Sequence, residues 1–177
     1  MLVDLTAIET LTIVTGGGQA AVDALGDTPA GEPKRTCLLV PGIDVAWDEC
    51  ACGQFAQVIV GEYLTNSPFD GGGTSVADSC GLSYRVISVA SSIVRCIPTM
   101  DGNGHPPSCA RLLNAGVIDV VDRTAVRLAI LCFLENLLDA GRIEFYQLGQ
   151  QTPLGELGGC AGSVLTWSVA VANKCPC

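Results

Sequence analysis

The chain has 177 residues and a mass of 18.3 kDa, with 49% hydrophobic and only 15% charged residues; 18 acids against 9 bases give a net charge of −9. Such an acidic surface repels phosphate, which argues against sequence-specific nucleic-acid binding. The length suits one domain with one sizeable core, yet a solitary domain usually carries charge on nearer a quarter of its residues, so neighbouring subunits are expected to cover part of the surface.

The opening MLVDLTAIET has no basic region ahead of its apolar residues and does not read as a secretory signal. Residues 4–25 read as a first helix, with Leu5, Ile8, Leu11, Val22 and Leu25 towards one side. Gly16-Gly17-Gly18 is expected to interrupt or kink it, since each interior glycine costs about 1 kcal/mol relative to alanine. Residues 26–35 (GDTPAGEPKR) form a loop. A short strand, Cys37–Val40, stops at Pro41-Gly42. The acidic segment 43–53 leads into a strand over Gln54–Thr65, and the glycine-rich stretch 66–82 is a long contact loop. Leu82–Ile97 is the next strand, with Ile87, Val89 and Ile93 alternating with Ser88, Ala90 and Ser92.

After the turn-rich segment PTMDGNGHPP (98–107), Ser108 caps a helical segment that runs to Val121. The main helix is DRTAVRLAILCFLENLLD, Asp122–Asp139, capped by Asp122 or Thr124 and ended by Gly141. A single helix over 109–139 would be about 46 Å long, which favours a break near Asp122. Val126, Ile130, Phe133, Leu134 and Leu137 stack on one face with Ala129 beside them. Leu131 and Leu138 lie about a third of a turn away, so two sides need cover, one from a sheet and one from a second helix or another subunit. Its apolar run Leu128–Leu134 is too short to span a membrane, which takes roughly 18–20 residues. Ile143–Leu148 and Val164–Ala172 form the last strand pair, and 149–162 is a second contact loop containing the flexible Gly155–Gly162. Helix, three strands, helix, two strands implies an α+β fold: a mainly antiparallel sheet of four or five strands with two main helices on one face.

Ten cysteines are many for a protein without an export signal. Cys132, inside the apolar helix, reads as a small buried hydrophobe. Cys96 and Cys109 bracket the strand-to-helix connection; a bridge there would close a loop of about 14 residues and stabilise by roughly 3 kcal/mol. Cys50, Cys52, Cys175 and Cys177 could hold zinc as four thiolates, but each pair is separated by one residue rather than two to four. Disulfides among Cys50, Cys52, Cys80, Cys160, Cys175 and Cys177 fit better, with the connectivity open. His105, the sole histidine, reads first as an exposed loop residue. As a base for a Cys96 or Cys109 nucleophile it lacks an orienting third group at recognisable spacing. Neither Gly16–Gly18 nor Gly71–Gly73 is followed by the lysine a phosphate loop needs. Asp44, Asp48 and Glu49 read as a solvated acidic loop before a cation or acid–base site. No catalytic residue, cofactor or metal is expected.

Four segments together resemble a known group: CLLVPGIDVAWDECACGQFAQVIV (37–60), VRCIPTMDGNGHPPSCARL (94–112), DRTAVRLAILCFL (122–134) and GGCAGSVLTWSVAV (158–171). They are similar to head-to-tail junction proteins of long-tailed actinobacterial phages, and within these to tail terminators. The resemblance implies a small α+β structural protein of the virion, assembled in the host cytoplasm as a homo-hexameric ring. Its partners would be the tail tube protein on one ring face and a head-closure or neck protein on the other, with DNA passing through unread and no membrane involved. It offers no catalytic residues. A different neck component, a head-closure or connector protein, is the nearest alternative; a secreted disulfide-rich binding module and a thiol enzyme are the alternatives of other classes.

Overall fold

A computed structural model of the chain describes residues 5–42, 53–67, 83–157 and 159–173. Its elements run α1 (Leu5–Gly26), β1 (Arg35–Cys37), β2 (Gln54–Thr65), β3 (Tyr84–Cys96), α2 (Cys109–Asp139), β4 (Phe145–Leu157) and β5 (Cys160–Ala172). The five strands form one sheet in the order β1-β2-β3-β5-β4; β1 lies parallel to β2, and every other pair is antiparallel. The expected α+β fold and its element order therefore hold.

Two-residue periodicity decides which side of the sheet meets the helices. Phe55 on β2, Ile87, Val89 and Ile93 on β3, and Leu165, Trp167, Val169 and Val171 on β5 are all buried in one core with α1 and α2. From α1 that core takes Ile13, Val14, Ala21, Val22 and Leu25; from α2 it takes Val126, Ile130, Leu134 and Leu137. Alternate residues on the other face, including Val58, Val86, Ala90, Val94 and Ala170, are buried as well.

The triple glycine does not break α1, which is continuous over 22 residues. A Cβ on Gly16 would lie 2.8 Å from Phe133 Cζ, one on Gly17 3.2 Å from Trp167 Cζ2, and one on Gly18 would collide with Gln57 Oε1. The three glycines form a groove that brings the helix backbone onto α2 and the sheet. The propensity cost is set against close packing, and the packing wins.

The break expected near Asp122 is also absent, because α2 is a single helix of 31 residues. Its cap is Ser108, whose side chain accepts from Arg111 N. Asp122 is instead a buried mid-helix carboxylate, with Arg95 Nε 2.8 Å from its Oδ2. Thr124 is no cap either: its hydroxyl donates to Val120 O within the helix. At the far end Gly141 adopts φ 64°, and the amides of Gly141 and Arg142 donate to Leu138 O and Leu137 O. That paired pattern is the Schellman termination, and it needs a residue at ease with positive φ.

Strand limits shift in three places. The first strand is Arg35–Cys37, not Cys37–Val40, although Val40 N still donates to Gln57 O. Most of 149–162 is strand, not loop: β4 and β5 form a hairpin closed between Leu157 and Cys160, with Gly159 at φ 84°. Gly149, Pro153 and Gly155 read as loop residues, yet an edge strand tolerates them, since proline there need not donate and the register shifts at Leu148/Gln151 and Leu154/Leu157 absorb extra residues. Of the 66–82 loop, residues 68–82 lie outside the described residues.

Candidate functional site

Helix α2 has two unlike sides. Its buried residues begin at Asp122 and continue through Val126, Ile130, Leu134 and Leu137; from Cys109 to Val121 no side chain is fully buried. The helix touches the end of β3 through Asp122 and Arg95, so its first thirteen residues extend beyond that end of the sheet. At 100° per residue, Leu113, Val117, Val120, Leu128, Leu131 and Leu138 form a stripe along the side away from the core. Leu131 is half-buried and the rest are exposed, Leu113 at 69% and Val120 at 60%.

This changes the reading of three residues. The expected second buried side is present as a pattern, but within one chain it is uncovered: Leu138 and Cys132 are exposed. Phe133, by contrast, packs half-buried against the core and fills the groove at Gly16. Single exposed aliphatics are ordinary, whereas two groups of them on one side of a helix, here Leu113 to Val120 and Leu128 to Leu138 with Thr124 and Arg127 between, mark a contact surface.

A second apolar patch lies on α1, where Ile8 and Leu11 are exposed. Thr10 between them meets Arg85 at the start of β3, while Gly31 beyond the other end of α1 accepts from Arg95 near the end of β3. Hence the α1 patch and the free half of α2 sit at opposite ends of the helix layer.

Between the first turns of α2 and the ends of β3 and β5 lies a cleft of about 750 Å³. Lys34, Arg95 and Arg111 line it, three of the nine basic residues in a chain of net charge −9, together with Asp119 and Cys96. Arg95 holds this end together: besides Asp122 it donates to Gly31 O at 2.6 Å, joining β3, α2 and the loop after α1. Arg85 does the same at the opposite end, meeting Thr10 and Glu9 of α1 and Glu62 of β2. Sequence reasoning missed both. The available signal was an arginine on the core-facing parity of an otherwise apolar strand, which demands a partner. The buried hydroxyl of Ser91 was missed likewise; Gln57 and Trp167 both donate to its Oγ inside the core, at 2.7 and 2.9 Å.

The expected bridge between Cys96 and Cys109 is not formed. Both residues carry thiols, as do Cys37 and Cys132. Cys96 ends β3 opposite Cys160, while Cys109 begins α2 on an exposed turn, so nearness in sequence does not decide the pairing. Cys160 is disulfide-bonded. Cys50, Cys52, Cys80, Cys175 and Cys177 lie outside the described residues, and so do the zinc alternative and the acids Asp44, Asp48 and Glu49. Among the described residues no cluster of three or more His, Cys, Asp or Glu is placed to hold a metal. His105 sits in an exposed turn with its Nδ1 3.2 Å from Asp101 Oδ2.

No family model and no curated protein matches this chain. No helix among the described residues is long and apolar enough to cross a membrane. What the geometry offers is protein contact, through an uncovered helix face and a separate patch at the other end of the helix layer.

Proposed function

We propose that the chain is a structural virion protein, a tail terminator that assembles as a homo-hexameric ring, caps the tail tube and joins it to the neck. The observation that carries the self-assembly is the exposed apolar row of α2, from Leu113 to Leu138. Its placement supports a ring. A closed ring needs a head-to-tail contact between two different patches, and the first part of the α2 row, Leu113 to Val120, and the Ile8–Leu11 patch are different surfaces at opposite ends of one layer. The low charged fraction agrees with surface lost to neighbours. The phage assignment itself rests on the resemblance of segments 37–60, 94–112, 122–134 and 158–171.

Native mass measurement tests the assembly. The expected species is about 110 kDa, six times 18.3 kDa, and replacing Leu113 and Val117 together by glutamate returns it to the protomer mass with an unchanged circular-dichroism spectrum. A wild-type chain that stays at 18.3 kDa at micromolar concentration refutes the ring. Labelled antibody against the chain, imaged on phage particles, tests the assignment: density at the neck supports it, and density elsewhere or none overturns it.

A further inference from the structure

The cleft between the first turns of α2 and the ends of β3 and β5 holds about 750 Å³, within the roughly 300–1,000 Å³ typical of ligand sites. Among the described residues four charged side chains line it, and two of these are already balanced. Arg95 meets Asp122, and Asp119, the one acid among those four, meets Arg123. Lys34 and Arg111 are exposed, and among the described residues neither pairs with a carboxylate. Two uncompensated positive charges therefore line one cleft of a chain whose net charge is −9. The first turn of α2 belongs to the same wall and adds the partial positive charge of a helix start. The rest of the lining is mostly apolar, with Ile97 and Ile118 half-buried.

We propose that this cleft docks an acidic segment of a partner protein, its carboxylates meeting Lys34 and Arg111 and its aliphatic side chains resting on Ile97 and Ile118. The two kinds of lining together decide the ligand class. A free inorganic anion answers the charges but leaves the isoleucines open to water. A nucleic-acid duplex brings no aliphatic side chain to bury, and the −9 charge of the whole chain opposes its long rows of phosphates. A peptide carrying both acidic and aliphatic residues satisfies both. Arg111 adds geometry, since a guanidinium donates two parallel N–H bonds to one carboxylate. Charges at the rim of an open cleft set specificity and approach rate more than affinity, so the complex is salt-sensitive. The docking rests on the cleft alone and requires neither the outer row of α2 nor the ring.

The test measures fluorescence anisotropy of a short labelled peptide that alternates glutamate with leucine, titrated with the full chain. Binding is expected, and a peptide with lysine in place of glutamate stays free. Raising the salt from about 0.01 to about 0.15 M shrinks the Debye length from about 30 to about 8 Å and weakens the complex. Lys34→Glu and Arg111→Glu each weaken it about tenfold, with unchanged thermal unfolding. Arg142→Glu, the same change of charge at an exposed residue outside the cleft lining, leaves it unchanged. Millimolar inorganic phosphate, offered as a competitor at matched ionic strength, fails to displace the peptide. A wild-type chain that does not bind the glutamate peptide overturns the proposal. So does an equal loss in Arg142→Glu, which would mark a general field, or displacement by phosphate, which would mark a free-anion site.

Discussion

Arg95 and Asp122 exchange a charge-assisted hydrogen bond at 2.8 Å with the carboxylate almost fully buried. Asp122 Oδ1 has no hydrogen-bond partner, so the carboxylate depends on the arginine for most of its compensation. Removing one member of such a pair strands the other. Arg95→Ala is expected to lower the unfolding free energy by about 3–5 kcal/mol, whereas Arg95→Met combined with Asp122→Leu restores most of it. Urea unfolding of the two variants decides, and a single variant within about 1 kcal/mol of wild type contradicts the reading. Asp101 offers a milder case in an exposed turn. Its Oδ1 accepts from the amides of His105 and Asn103, each at 2.9 Å, and these bonds hold the carboxyl below its ordinary 3.8. A depressed folded value means the turn is fully held above the ordinary carboxylate pKa and loosens as pH falls through the lower one. A carboxyl-carbon NMR titration should therefore place the Asp101 midpoint under 3.8. Asp101→Ala should speed exchange of the Asn103 and His105 amides while leaving the core unchanged.

At the scale of elements, the glycines separate propensity from packing. Gly18→Ala improves helix propensity by about 1 kcal/mol, but its Cβ would strike Gln57, a buried side chain tied to Ser91. The expected net effect is a loss of about 1–3 kcal/mol from overpacking. Gly116, in the free half of α2, has nothing within 4 Å of a Cβ, so Gly116→Ala should stabilise by about 0.5–1 kcal/mol. Thermal unfolding of the two variants should move in opposite directions. Hydrogen exchange should likewise divide α2, fast over 109–121 and slow from Asp122 onward, where the core begins. The same contrast explains what was legible in the sequence. Strand β2 was readable to the residue from its run of aromatic and β-branched residues after Gly53, and Trp167 with its alternating neighbours marked β5, because burial on a sheet favours a period of two. The α1 groove was illegible because a glycine's own preference says nothing about which ring stands opposite it. The unity of α2 was hidden because Asp122 looks like a cap until Arg95 is seen beside it. The outer row of α2 could be read from spacing; that one chain leaves it bare could not.

For the molecule as a whole, two arginines clamp the ends of the helix layer to the sheet, and part of the apolar surface left over, Leu113 to Val120 of α2, lies outside those clamps. A subunit built this way is stiff in its middle and adhesive at its extremities. Dilution should therefore dissociate an assembly without unfolding its protomers, which sedimentation and circular dichroism followed together would register. The strand order carries a separate consequence for how the chain is made. Strand β5 is the last of the described elements in sequence, yet it stands between β3 and β4 and delivers Trp167 to the core. Until it emerges from the ribosome, β3 and β4 have no common neighbour and α1 has no indole to rest on. Native structure must then wait for β5 to be synthesised, and a nascent chain halted before residue 160 should remain protease-sensitive.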